Sequence, residues 1–328
     1  MVLKTLHYAL GFPPYRTGGL TKFCMDLLGQ QSADGHQTAL AWPGRMAFFW
    51  RKVSVKERKM GGIQSFEICN PLPIPYDEGI ARCELFMEDT EGWVYKELFK
   101  AFCPDVIHIH TLMGLHGSFL RIAKEMGIRC VFTAHDYFPI CPKVTMIRGG
   151  QVCSSAENCM GCGICNETAL KIGHIKILQS VSYRIFKDTP VVRRLRSRHR
   201  EYYLSGNGTD HGGAAVADAA EYRRLRRHYH ALLKKMDLIH YNSTLTRSVY
   251  EKYFQLPNSV VINISHGDIK DCRKKKRFSK DKCRMAYLGP QGEAKGFFYS
   301  RRRLINCGKQ INSLVWIYIL SQQSCRLI

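Results

Sequence analysis

The sequence lacks any uninterrupted apolar run near the ~18 residues that a membrane-spanning helix requires. Its N-terminus, MVLKTLHYALGFPPYRTGG, breaks its short apolar run at Phe12-Pro13-Pro14, before the length of a secretory leader is reached. Both absences point to a cytoplasmic chain. The dinucleotide fingerprint G-x-G-x-x-G is missing, so the Gly18-Gly19 pair is not a dinucleotide-binding loop. Acidic residues are in deficit: 27 Asp+Glu stand against 49 Lys+Arg, a net charge of +22. Such an excess calls for an anionic partner, either a nucleic acid, an acidic membrane surface or a phosphorylated small molecule. No helix-turn-helix, RNP-type aromatic run or zinc-finger Cys/His spacing accompanies the charge, so nucleic acid is not the expected partner. The 14 cysteines of these 328 residues, without a leader, read as thiols or metal ligands of a reducing compartment, not as a disulfide framework.

With 45% hydrophobic and 23% charged residues the chain is globular, and its length allows two domains or one large one. The first 140 residues alternate strand and helix. Val2–Leu10 predicts a strand, Leu20–Gln31 a helix with Leu20, Phe23, Leu27 and Leu28 on one face, and Gln37–Trp42 a second strand. Residues 44–80 have no clear period, and Pro71, Pro73 and Pro75 suggest an extended loop. Helical character over Glu84–Phe102 is followed by the β-branched run VIHIH, a helix over Phe119–Met126, and the strand CVFTA at 130–134. Further on, DLIHYN, a helix over Thr244–Phe254, SVVINI and Met285–Leu288 continue the rhythm, which is lost after Phe298. Repeated βα units predict an α/β fold with a Rossmann-like, doubly wound parallel sheet.

Three features carry chemistry. Gly18-Gly19, between the first strand and helix, lets a ligand approach the backbone at a helix N-terminus; a plain tight turn explains the pair equally well. His108 and His110 end the VIHIH strand and His135-Asp136 ends the next, at the carboxyl ends where ligands of open α/β sheets lie. An imidazole there can bind a hydroxyl, move a proton, or merely bond a loop carbonyl. Finally, Cys153, Cys159, Cys162 and Cys165, with Cys141 as a fifth candidate, have the close Cys-x2-Cys spacing by which thiolates clamp one ion, with structural Zn favoured. The ferredoxin run would need a further Cys where Ala169 stands, and unligated or redox-active thiols are the alternative.

The motifs GFPPYRTGG, PDVIHIH, VFTAHDYFPICP, LIHYNSTLTRSVYEKYF, VVINISHGDIKD and YLGPQGEAKGF occur in serial order over about residues 1–297. In that order they resemble the retaining GT-B glycosyltransferases of family 4. The resemblance implies two facing Rossmann-like domains, an N-terminal one for the acceptor and a C-terminal one for a nucleotide-sugar, with no catalytic metal. It implies that His135 and His110 line the catalytic cleft, His135 beside the transferred sugar. Gly18 and Gly19 would form the loop near the donor diphosphate, and Lys295 of the AKG motif would meet the pyrophosphate. The implied partners are a nucleotide-sugar and a saccharide or lipid-linked acceptor.

Two departures stand against full agreement. Pro290 occupies the place of an Arg that many members pair with the Lys, and the acidic pair expected far beyond Lys295 is not present before Ile328. The expected organisation is therefore an acceptor-type domain over 1–268, with a Cys-rich insert at 141–165 and a basic helical region at 184–235. A basic linker at 269–284 and a stub of a donor domain at 285–328 with a patternless tail follow, as if truncated by a frameshift near Phe298. The charge is local: 184–235 holds 13 Lys/Arg against 5 Asp/Glu, and 268–303 holds 13 against 4. The first window is read as a solvated helix face or as a seat for anionic lipid at the inner membrane face, the second as a charged linker. A sugar transferase with little activity alone is the expected function. A non-catalytic acceptor- or membrane-binding module, or a basic metal-cysteine protein that binds nucleic acid, are the alternatives.

Overall fold

The computed structural model describes residues 1–49, 52–76, 78–148, 151–153, 158–195, 198, 217–256, 258–267, 283–288, 296–308 and 314–319. It divides into two units: Met1–Met146 with Cys153–Ile269, and Ile147–Val152 with Lys270–Ile328. In the first, β1 (Lys4–Tyr8), β2 (Gln37–Pro43), β3 (Ser54–Met60), β4 (Ile63–Cys69), β5 (Val106–Ile109), β6 (Arg129–Ala134), β9 (Leu238–Tyr241) and β10 (Ser259–Val261) make one sheet. Their order is β10-β9-β6-β5-β1-β2-β4-β3. All neighbours pair in parallel except β3, which runs antiparallel to β4 at the edge. The doubly wound α/β sheet expected from the sequence is present. The unread stretch 44–80 supplies the β3–β4 hairpin: SVKERKM is an edge strand whose charges face water, so it shows no apolar run.

The helices around this sheet are α1 (Gly19–Ala33), α2 (Trp93–Phe102), α3 (Gly117–Glu125), α4 (Cys162–Cys165), α5 (Ile172–Leu178), α6 (Val181–Phe186), α7 (Ala219–Leu233) and α8 (Thr244–Tyr253). The helix expected over Glu84–Phe102 is a 3-10 turn at Cys83–Phe86 and then α2. Between them Asp89 accepts from the Ser118 N–H at 2.8 Å, tying that break to the start of α3. Helix α7 begins with a capping box in which Asp218 and Glu221 satisfy each other's backbone N–H groups.

Strand alternation sorts the two faces of the sheet. Leu6, Tyr8, Ile107, Ile109, Phe132, Ala134, Ile239 and Tyr241 join the main core with residues of α2, α3 and α7. Thr5 and His7, His108 and His110, Thr133, and His240 take the alternate positions. The main core is aromatic: the Phe119 ring lies 5.8 Å from Tyr8, 5.1 Å from Tyr95 and 5.0 Å from Phe99. Towards the other edge, the buried Glu67 carboxylate takes bonds from Arg58 at 3.1 Å and Arg184 at 3.3 Å, and the Arg184 guanidinium stacks on Trp42. This ion group fixes α6 to the sheet.

The second unit contains two separate pairings. Strands β7 (Ile147–Arg148) and β8 (Gln151–Val152) form a hairpin. Strand β11 (Cys283–Leu288) pairs in parallel with β12 (Leu314–Ile319), from Cys283↔Leu314 to Leu288↔Ile319, with helix α9 (Phe297–Gly308) between them. The stretch after Phe298, without period in the sequence, thus contributes a helix and a strand. Most of the expected linker, together with Pro290 and Lys295, lies outside the described residues.

Phe119 is fully buried among three aromatic rings, so Phe119→Ala leaves a cavity as well as losing transfer energy. Urea unfolding of this variant is expected to show a loss of ~3–5 kcal/mol.

Candidate functional site

The order of the sheet places its switch point between β1 and β5: the chain builds outward from β1 through β2 to one side, then returns to β5 and builds to the other. Ligands of open α/β sheets bind at the carboxyl end of such a point. Here the pairing sets His7 directly opposite His108. His110 and His135 follow immediately on the ends of β5 and β6. On the far side Thr133 pairs with His240 of β9. Period-two alternation therefore puts five imidazoles on one face, beneath α1, whose Phe23 ring packs 5.9 Å from His110 and 5.1 Å from His135.

Buried imidazoles need partners, and two hydrogen-bonded chains provide them. In the first, His7 Nε2 donates to Gln31 Oε1 on α1 at 2.8 Å. The neutral His7 then accepts at Nδ1 from His110 Nε2–H, 3.1 Å away, and His110 Nδ1 accepts from His135 Nε2–H at 3.2 Å. With the Gln31 oxygen facing His7, every ring is the Nε2–H tautomer, and His135 ends the chain with its Nδ1 lone pair as an acceptor. Turning the Gln31 amide over would reverse each donor. In the second chain the Ile262 carbonyl sets the direction. His240 Nε2 donates to it at 2.8 Å, Thr133 donates to His240 Nδ1 at 3.0 Å, and His108 Nε2 donates to Thr133 Oγ1 at 2.7 Å.

Burial favours the uncharged rings. Desolvation pulls His7 and His135 from 6.5 to about 4 and holds His108 and His110 well below 6.5, with the neighbouring imidazoles adding to it. The donor atoms of His7, His108 and His110 lie within 4.8 Å of one another, the closest such group among the described residues. Both nitrogens of His7 and of His110 and the Nε2 of His108 are already engaged, so the group is held by its own hydrogen bonds and not arranged for a metal ion. His110 is 1% exposed and lies behind His135, which is partly exposed. His135 is thus the member that can touch a ligand, and His110 and His7 position it.

Gly18 is the N-cap of α1 at φ 130°, a conformation that suits glycine. No atom lies within 4 Å of where a Cβ would stand at Gly18 or Gly19, so the helix N-terminus is open to a ligand. Gly18, Thr17, Thr21 and Lys22 border a cleft of about 530 Å³ closed on its far side by Ile63 and Ser65. His110 and His135 are not among the walls of this cleft.

Residues 17–152 match the family model described as Glycosyltransferase Family 4.

That segment begins beside Gly18-Gly19 and includes His108, His110 and His135. No curated protein matches the chain. Among solved structures, sucrose-phosphate synthase from Thermosynechococcus elongatus is similar at 10% identity and TM-score 0.39, over 96% of this chain and 70% of that one. An α,α-trehalose-phosphate synthase (UDP-forming) from Burkholderia xenovorans, in complex with glucose-6-phosphate, is similar at 10% identity and TM-score 0.42, over 98% and 67%. A structure described as trehalose-6-phosphate from E. coli bound with UDP-2-fluoro glucose is similar at 12% identity and TM-score 0.40, over 98% and 66%. This chain therefore spans about two thirds of each.

His7, His240, Thr133 and Gln31 were not read from the sequence. A signal existed: KTLHY and DLIHY each place one His between apolar neighbours on a strand, as VIHIH does. The cysteines lie elsewhere, beside α7. Desolvation and hydrogen bonding act in opposite directions there: bonding from Cys162, helped by Arg226 and Arg223, lowers the Cys159 thiol to about 7, and the Cys162 thiol is raised.

The imidazoles give the fold a distinct acid profile. The unfolded chain takes up protons below 6.5, while folded His7 and His135 resist until about 4. The unfolded state then binds more protons, so stability falls as pH drops through that window, by ~1.4 kcal/mol per pH unit for each ring. Urea midpoints are expected to be level above 6.5 and to fall steadily towards 4. A flat profile across that interval would contradict the neutral-imidazole assignment.

Proposed function

We propose that this chain acts in sugar transfer, as a retaining glycosyltransferase that takes a nucleotide-sugar as donor and a saccharide or lipid-linked acceptor. The observation that carries the reading is the family match over 17–152, whose bounds take in both the open glycine turn and His108, His110 and His135. In the reaction an acceptor hydroxyl attacks the anomeric carbon and the bond to the nucleoside diphosphate breaks. Stabilising the leaving diphosphate is then the main demand on the protein.

Gly18-Gly19 can meet that demand through the N–H groups and positive end of α1. Lys295, which the resemblance gives the same role, lies outside the described residues. His135 presents an acceptor nitrogen that can orient a sugar hydroxyl, with its tautomer fixed through His110, His7 and Gln31. No resident metal is needed for these roles. The test is release of nucleoside diphosphate from a panel of nucleotide-sugars by the purified chain. Slow, acceptor-dependent release is expected, lowered about 10²-fold in His135→Ala, with the anomeric configuration kept in the product. Absence of release with every donor, together with no saturable binding of any nucleotide-sugar, would oppose the reading.

A membrane-facing acceptor is favoured by a second observation. Along 177–195 the side chains of Ile177, Val181, Ile185, Phe186, Val191 and Leu195 are exposed, with Ile185 at 66% and Val191 at 68%. Exposed Arg193 and Arg194 share this stretch, and exposed Arg198 lies just beyond it. Apolar side chains beside a cluster of guanidinium groups suit the interface of an anionic bilayer, where each cation adds ~1 kcal/mol. Arg184, bound to Glu67, and Arg223 and Arg226 of α7, bound to the Asn158 and Ile140 carbonyls, serve the fold instead. Among the described residues no helix is long and apolar enough to cross a membrane. Sedimentation with phosphatidylglycerol vesicles is expected at low salt, and to weaken both at high salt and in Phe186→Glu. Equal binding to neutral vesicles, or none at low salt, would count against it.

A further inference from the structure

At the carboxyl end of the sheet, the same end as His135, the loop leaving β1 and the end of β2 meet α6 around a small cavity of about 40 Å³. It has room for about three waters, enough for one phosphoryl group and too little for a sugar ring. Its charge is of one sign. Arg16, Arg184 and Lys187 line it, and no Asp or Glu does. Among the described residues Arg16 has no carboxylate partner. Its guanidinium lies 4.9 Å over the Tyr76 ring and donates to the Tyr76 hydroxyl at 3.1 Å. Arg184 is bound to Glu67, but Arg58 is bound there too, so that carboxylate is countered twice. Lys187 donates to the Pro14 and Tyr15 carbonyls, and Asp188, 3.7 Å from it, is more than half exposed. The side chains of Arg184 and Lys187 are only 18% and 16% exposed. Charges so far from water call for a counter-charge.

A neutral donor at the same cavity lacks a partner as well. Trp42 lines it, is 5% exposed, and carries the Arg184 guanidinium 4.8 Å over its ring. Its buried indole N–H has no hydrogen-bond partner among the described residues. Indole can only donate, so what is missing is an acceptor, and buried donors normally have one. Gln179 on the cavity wall is engaged with backbone: its Oε1 accepts from the Ile74 N–H at 3.1 Å and its Nε2 donates to the Gly44 carbonyl at 3.4 Å. The loop is shaped to bring the cations in. Gly11 stands at φ 129°, and a Cβ there would lie 3.1 Å from Arg16 Cγ, so glycine lets the Arg16 stem cross the turn. The Phe12 ring meets Trp42 edge-on at 5.4 Å and fixes the indole.

We infer that this cavity binds the phosphoryl group of a phosphate monoester. Such a group carries about two negative charges and three strong acceptor oxygens. Two guanidinium groups and an ammonium answer the charge with charge-assisted hydrogen bonds, and the Trp42 N–H gains its acceptor. A carboxylate, with one charge, would leave most of the cationic excess unanswered. That the molecule bearing the phosphoryl group is the sugar acceptor rests on the transferase reading; the binding itself does not. Two sources share this chemistry: a soluble sugar phosphate, and a lipid whose head is a phosphate monoester. The second is open because Ile185 and Phe186, next to Arg184 on α6, are exposed in the stretch suited to a bilayer.

The test follows the Trp42 indole N–H by NMR in the isotope-labelled full chain, the resonance being assigned by its loss in Trp42→Phe. Inorganic phosphate added at fixed ionic strength is expected to move it downfield and to saturate, and chloride is expected to leave it in place. Arg16→Gln and Lys187→Gln should each weaken phosphate binding about tenfold; Arg184 is left intact because it also holds Glu67. Should either variant fail to fold, the comparison of phosphate with chloride on the unmodified chain still decides. Tighter binding of mannose-6-phosphate than of mannose would support the site with a soluble source. Displacement of phosphate by phosphatidate vesicles, but not by phosphatidylglycerol vesicles of equal charge, would support it with a lipid source. The inference is overturned by an unmoved Trp42 resonance, by an equal shift with chloride, or by both glutamine variants binding phosphate as the unmodified chain does. No nucleotide-sugar is present, so a chain that turns over donor without this shift would lose the site and keep the transferase reading, and failed turnover would leave the binding result standing.

Discussion

Hydrogen bonding of imidazoles that water cannot reach is the constraint on which the arrangement of the first unit depends. Strands β1, β5, β6 and β9 each turn a polar side chain to the same face, and that face is covered by α1. Each ring has to find a partner within the protein, because an unmatched buried polar group costs a large part of the stability of a domain. The chains that result run in two directions: one ends in the Gln31 amide on α1, the other in the Ile262 carbonyl after β10. The position of α1 and the path of the chain leaving β10 are therefore coupled to the same row of histidines.

The row also fixes the ring that stands at the switch point. An imidazole at the end of a strand in an apolar setting is a poorly oriented group unless something fixes its ring and tautomer. His135 receives both from behind, through His110 and His7, and remains partly exposed itself. The opposite face of the sheet has no such role. There Tyr8, Tyr95, Phe99 and Phe119 pack as an aromatic layer, and the backbone positions they fix are the frame in which the histidines are held.

Much of this was legible in the chain and some was not, for identifiable reasons. The parallel strands were readable because runs such as VIHIH and CVFTA are β-branched and bounded by turn residues. Their histidines were readable as a group because they end adjacent strands. His7 and His240 were not, since one His inside an apolar strand looks the same whether it bonds a loop carbonyl or joins a row, and only strand order tells which. Gln31 is near the end of a helix with no local sign that it reaches a buried ring. The β3–β4 hairpin was hidden because an edge strand such as SVKERKM carries charge where a central strand carries valine and isoleucine. The Arg residues of α7 read as one basic patch, whereas Arg223 and Arg226 are spent on the carbonyls of Asn158 and Ile140.

The two coverings of the sheet also differ in what they would release to solvent. Helix α1 buries only Thr21, Cys24 and Leu28 among its own residues, and part of its seat is imidazole. Helix α2 buries Val94, Tyr95, Leu98, Phe99 and Phe102, and α7 buries two tyrosines and three leucines. Heat capacity change and denaturant sensitivity follow the apolar area exposed. Local opening that lifts α1 would thus carry a small heat capacity increment and a shallow denaturant slope, whereas release of α2 or α7 would carry large ones. Native-state hydrogen exchange would then separate the two sides of one sheet into different cooperative units, with the α1 side the more easily opened.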